Sequence, residues 1–161
     1  MNAIELLTQT LQATHEFLKG ALADFSDADM LVRPVPGANH AAWQLTHLIA
    51  SEIEMMTGAA GVAMPPLDER LAKVVADKES AKLDDPAAFL TKAQLLALFA
   101  QVREATIAGV KTLSESDLDR QTGWEYAPNI GQFLSLVAGH LTMHMGQVQV
   151  IRRKLGKPVL F

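Results

Sequence analysis

Cysteine is absent from the 161-residue chain. No disulfide can brace the fold, and no thiolate is available as a metal ligand or nucleophile. No apolar run reaches the roughly 18 to 20 residues that a membrane span requires. The richest apolar stretch is interrupted by histidines and glycines. The opening "MNAIELLTQTLQ" lacks a basic segment and a small-residue cleavage site, which predicts no signal peptide and a cytoplasmic protein. Positive charge is also scarce: the net charge is −4, and "RRKLGK" near the C-terminus is the one basic cluster. Nucleic-acid binding requires a basic face to displace counterions, so nucleic acid is not the expected partner. No Walker loop, dinucleotide fingerprint or G-x-S-x-G elbow occurs. Alternating strand patterns, repeats and low-complexity tracts are missing as well. Kinase, dehydrogenase and hydrolase-elbow chemistries lose their usual support.

What is present is helical periodicity. Hydrophobic residues make up 49% and charged residues 20%, a globular balance, and the length predicts one domain over 1–161. Ile4, Leu7, Leu11, Leu18 and Leu22 mark one buried stripe of a first helix from about Asn2 to Asp24. "SDADMLVRPVPG" ends it, with Ser26 placed to cap a short turn. A second helix is predicted from an Asn39 N-cap to about Thr57, before Gly58. Residues 58–90 form a long connection with one short amphipathic helix around "MPPLDERLAKVV". A connector of this length in a compact domain signals a crossover or a functional loop. Thr91 and Gln94 form a capping box for a third long helix that ends near Leu113. The fourth begins near Asn129 and stops at Leu155, where Gly156 and Pro158 follow. Four long helices with one crossover predict an all-α four-helix bundle.

The chemistry concentrates in "GHLTMHMGQ". His140 and His144 are four apart, so they are neighbours on one helical face and can converge on one ion. Chance supplies about 0.15 such pairs in a chain with this histidine content, so the spacing alone is weak. The context adds to it. Val137, His144 and Ile151 lie seven apart beside Leu134, Leu141, Val148 and Leu155, which turns both rings inward or to the lip of the stripe. Burial favours the neutral imidazole that a metal needs. His47, amid Leu45, Leu48 and Ile49 on the second helix, is the candidate third ligand. Three nitrogens with an open position is the pattern of a catalytic metal, whereas a structural zinc takes four protein ligands. Histidines bonded to one another in the core are the alternative. Leu141 stands where H-E-x-x-H would carry its glutamate, which removes the zinc-peptidase reading.

Other residues have plainer expectations. His15 and His40 read as surface or capping residues. Trp43 reads as core packing, while Trp124 and Tyr126 anchor the loop before the last helix, and all three are candidates for a pocket wall. Gln147, one turn past His144, is placed to orient a ligand or water. Gly139 and Gly146 each cost a helix about 1 kcal/mol against alanine, so close approach of a helix in the bundle or in a dimer is expected there.

The order "NHAAWQLTH", then "NIGQFLSLVAGHLTMHMGQVQVIRRKLGKP", resembles the DinB-like (DinB/YfiT) superfamily. The resemblance spans nearly the whole chain. It implies an up-down-down-up four-helix bundle with the crossover between the second and third long helices. It also implies a divalent metal, often zinc or nickel, on the positions of His47, His140 and His144. Some relatives activate a low-molecular-weight thiol as transferases or isomerases, which implies a small-molecule metalloenzyme such as a thiol-dependent S-transferase, and relatives often form homodimers. A non-enzymatic metal-binding or structural bundle is the other reading. Met143 and Met145 depart from the histidine, glutamate or basic residues of many relatives, and predict a more apolar pocket wall.

Overall fold

The computed structural model describes residues 1–160. Helix α1 (Ala3–Leu22) starts at a capping box, in which Asn2 Oδ1 accepts from the Glu5 amide and Glu5 Oε2 accepts from the Asn2 amide. Ser26 and Asp29 exchange bonds in the same manner and open a single 3-10 turn at Asp29–Leu31. Helix α2 spans Ala41–Met55. Its N-cap is His40 rather than the expected Asn39: the imidazole Nδ1 accepts from the Trp43 amide at 3.1 Å. The asparagine contributes its backbone carbonyl to Gln44 Nε2 instead.

Helix α2 also does not stop before Gly58. Its last turn widens into a π turn at Met56–Ala60, closed by Gly61 in the left-handed region at φ 67°. The connection then carries the expected short helix, α3 (Glu69–Ala76), capped by Asp68 and seated through Leu71 and Val74. Helix α4 (Lys92–Lys111) begins at the Thr91–Gln94 capping box. A hairpin of β1 (Gln121–Trp124) and β2 (Ala127–Asn129) precedes α5 (Ile130–Lys154). No strand was expected. Arms of four and three residues are too short to display alternation, and the hairpin relies on a local bond from Thr122 Oγ1 to the Ala127 carbonyl.

Contacts at both ends give the helix directions. Helix α1 is antiparallel to α4: the Ala3 amide donates to Glu115 just past the end of α4, and Lys92 Nζ reaches the Ala23 carbonyl. Helix α2 is parallel to α4, with His40 against Phe89 at one end and Glu52 against Arg103 further along. It is antiparallel to α5, since Gln44 meets His144 while His47 meets His140. Arg152 at the end of α5 bonds the Ala21 carbonyl near the end of α1, so these two are parallel. Both α1 and α2 pack on α4 and α5. The result is an up-down-down-up four-helix bundle, and residues 56–91 must return the chain the length of α2 because α2 and α4 run in the same direction.

Two apolar clusters fill the interior. One surrounds Leu18, Leu45, Ile49, Phe99 and Leu141, and the other surrounds Leu11, Met56, Val110 and Phe133. Glu52, Arg103 and Thr106 form a buried polar group in which Glu52 accepts from Arg103 Nη2 at 2.8 Å and from Thr106 Oγ1 at 2.7 Å. The start of the crossover is pressed onto α4 at Gly109, where an added β-carbon would lie 2.5 Å from Val62 Cγ2 and 2.7 Å from Cγ1. Among the described residues, no helix is long and apolar enough to cross a membrane.

Candidate metal centre

Antiparallel packing of α2 on α5 brings His47, His140 and His144 together. Their ligating nitrogens all lie within 4.8 Å of one another. His140 Nε2 is 3.2 Å from His47 Nε2 and 3.2 Å from His144 Nε2. His144 is buried, and the other two are half-buried at the edge of the bundle.

Hydrogen bonding fixes the form of His144. Gln44 Nε2 donates to the Asn39 carbonyl at 2.8 Å, which leaves Gln44 Oε1 to accept from His144 Nδ1 at 3.2 Å. The hydrogen of neutral His144 is therefore on Nδ1, and its Nε2 lone pair points at the other two rings. His47 is held on its face by Trp43, stacked at 5.2 Å with 10° between ring planes, and Ser51 Oγ lies 3.4 Å from its Nδ1. Trp43 is fixed in turn by donating Nε1–H to Ser80 Oγ in the crossover.

A ring nitrogen has one in-plane position. One hydrogen can bridge His140 Nε2 to a single neighbour, so the remaining nitrogen faces an occupied position at 3.2 Å. A cation bonded to all three resolves that conflict. Bonds of about 2.0–2.1 Å at tetrahedral angles place nitrogens about 3.3 Å apart, close to the two separations observed. The donor set thus fits a divalent ion.

All three rings are pushed toward the neutral form. Burial pushes His144 from 6.5 to about 4, helped by His140 and then His47. Burial lowers His47, and burial followed by the neighbouring His47 lowers His140.

An open cavity of about 250 Å³ lies over His47 and His140. Its apolar walls are Met55 and Leu136, joined by the hairpin aromatics Trp124 and Tyr126, while Ser51 and Glu54 line it from α2. The hairpin residues expected as loop anchors are thus also pocket walls. Trp43 stacks on a site ring rather than filling core alone.

Several expectations need correction. Gln147 is exposed, because three residues past His144 the helix has turned outward; the glutamine bonded to a site ring is Gln44, on the facing helix. Met143 is exposed and Met145 is buried in the core, so neither lines the cavity. His40 caps α2 as expected but is fully buried beneath Phe89, with its Nε2–H donated to the Leu83 carbonyl at 2.9 Å. His15 is half-buried, edge-on to Phe99. Gly139 and Gly146 are exposed, and a β-carbon at either would meet nothing within 4 Å, so no helix of this chain approaches them. The sequence did hold a signal for what was missed: Gln44, Ser51 and Glu54 stand three before, four after and seven after His47, on its own helical face.

A family model described as the DinB superfamily matches residues 6–148. No protein of curated function matches the chain. A conserved protein from Enterococcus faecalis superposes with a TM-score of 0.71 at 18% identity, over 98% of this chain and 99% of that one. YfiT from Bacillus subtilis, described as a probable metal-dependent hydrolase with an unusual four-helix bundle topology, gives a TM-score of 0.64 at 20% identity. That match covers 96% of this chain and 89% of YfiT. At such identities the two likenesses speak for the fold.

Proposed function

The chain belongs to the DinB superfamily, and from that premise we propose that it is a divalent-metal-dependent enzyme acting on a small molecule. The observation that carries the reading is the convergence of three imidazoles, through Nε2, beside an open cavity. The description of YfiT as a probable metal-dependent hydrolase supports it. His47, His140 and His144 would hold the ion, zinc or nickel, and leave a position toward the cavity. Bound there, the ion would supply Lewis acidity and make a nucleophile available near neutral pH.

The protein's own groups do the rest. Gln44 keeps the hydrogen of neutral His144 on Nδ1, so that Nε2 presents its lone pair to the site. Trp43 restrains the His47 ring, and the apolar walls limit water around a bound ligand. Water is the simplest nucleophile, which makes hydrolysis the first reaction class. A small-molecule thiol is the second, favoured by the apolar lining of Met55, Leu136 and Trp124. Its sulfur would come from a co-substrate, because the chain has no cysteine.

Elemental analysis of tag-free protein loaded with zinc or nickel tests the site. One ion per wild-type chain is expected, and little or none in His47→Ala and His144→Ala. Wild-type protein that binds no ion after loading overturns the proposal. Titrating thiols into cobalt-substituted protein separates the two reaction classes: an unchanged visible spectrum with every thiol leaves hydrolysis.

A further inference from the structure

Among the residues that line the cavity, Glu54 is the one acidic side chain. It is exposed, and among the described residues no hydrogen bond or ion pair engages its carboxylate. The buried Glu52, only two residues away, is committed to Arg103 and Thr106. Nothing in the wall neutralises Glu54, and no lysine or arginine lines the cavity.

Position adds direction to this charge. His47, Ser51 and Glu54 follow one another at four and three residues along α2, so all three share the cavity face. The rise from His47 to Glu54 is about 10 Å at 1.5 Å per residue. The backbone offset is thus nearly two helical turns. It suits the far end of a ligand whose near end reaches the three Nε2 atoms. The same cavity is lined by Met55, Leu136, and the Trp124 and Tyr126 rings, which are packed edge to face at 5.7 Å. Apolar walls suit a short hydrocarbon stretch, and aromatic faces attract cations and not anions. The cavity holds on the order of eight water volumes, the scale of a small metabolite and not a peptide. The π turn that begins at Met56 supports the same assignment: it widens α2 immediately after Glu54 and Met55, the kind of local irregularity that accompanies ligand sites.

We propose that Glu54 is the specificity-determining residue of this site, selecting small substrates that carry a metal-liganding group at one end and an ammonium or guanidinium group at the other, across a short apolar spacer. This rests on the metal-centre reading above.

Three matched probes test it by calorimetry on zinc-loaded protein: hexanohydroxamic acid, 6-aminohexanohydroxamic acid and adipic acid monohydroxamate. They share a metal-binding head and a six-carbon chain and differ in how it ends: methyl, ammonium or carboxylate. The ammonium-ended compound is expected to bind about fivefold tighter than the methyl-ended one, the scale of an exposed ion pair, and the carboxylate-ended compound is expected to bind weakest. Glu54→Gln should abolish the ammonium preference, and Glu54→Lys should transfer it to the carboxylate. Hydroxamates that bind wild type without regard to end group, or a preference that survives Glu54→Gln, overturn the assignment while leaving the metal centre intact. If no hydroxamate binds zinc-loaded protein, or all bind His144→Ala equally well, the metal reading falls and this one with it.

Discussion

Lowering the pH of the metal-free protein should weaken it by an amount that the environment of His144 sets. The unfolded chain takes up a proton on this ring near 6.5, while the folded protein resists until about 4. Between those values the unfolded state binds more protons, so stability is complete above pH 6.5, falls as the pH drops toward 4, and levels off below. At about 1.4 kcal/mol per pH unit, the gap corresponds to roughly 3 kcal/mol. That is a large share of the 5–15 kcal/mol typical of a domain. The incoming proton has one place to go. Gln44 occupies the Nδ1 side, so it must arrive at Nε2, facing His140 3.2 Å away. His47 and His140 are shifted in the same direction and steepen the loss. Urea unfolding of chelator-treated protein from pH 7 to pH 4, followed by helical circular dichroism, measures it. His144→Gln is the control, since its amide can still donate to Gln44 without titrating. Carboxylates held below their usual range by partners, such as Asp24 beside Arg152, destabilise only at lower pH and do so in both proteins. Wild type should lose about 3 kcal/mol more than the variant over this interval. Parallel curves for the two proteins would refute the account of the site as neutral and desolvated.

Gln44→Leu should leave the helices in place yet raise the zinc dissociation constant by about 10- to 100-fold, because His144 loses the acceptor that fixes its tautomer. Competition with a chromophoric chelator reads this, and an unchanged constant would show that the bond does not position the ring. Glu52→Gln removes the charge that balances Arg103, whose side chain is 1% exposed, and should cost about 3–5 kcal/mol in urea unfolding. Pairing Glu52→Leu with Arg103→Met should recover most of that, and a double variant as weak as the single one would contradict the charge argument. Glycine-to-alanine changes should split by location. At Gly109 the added methyl meets both Val62 Cγ atoms, so a net loss of about 1 kcal/mol is expected despite the better helix former. At Gly139 and Gly146 the space is open, so each change should gain about 1 kcal/mol. A concentration-dependent loss at these two positions would instead reveal a second copy packed on this face of α5.

Helices were legible because their signals are local. The Thr91–Gln94 capping box, the leucine stripe of α1 and the Gly156 stop each involve residues within a turn or two, and they lie where periodicity put them. Where a boundary depended on distant contacts, reading it from sequence failed. His40 displaced Asn39 as the cap because Phe89 and Leu83, from the crossover, bury and bond the imidazole in a capping position. The hairpin went unseen because seven strand residues carry too little pattern.

The same division governs the site. By itself the sequence determined that two histidines share a face of α5, that a third lies on α2, and that no cysteine or H-E-x-x-H glutamate accompanies them. Tertiary structure alone decided which side chains surround those rings. The antiparallel meeting of α2 with α5 chose Gln44 over Gln147, turned Met143 to solvent, and put the hairpin aromatics and Glu54 on one cavity. Helical periodicity states which residues share a face, since that follows from 3.6 residues per turn. Which faces meet, and at what level, follows only when four helices bury their stripes together.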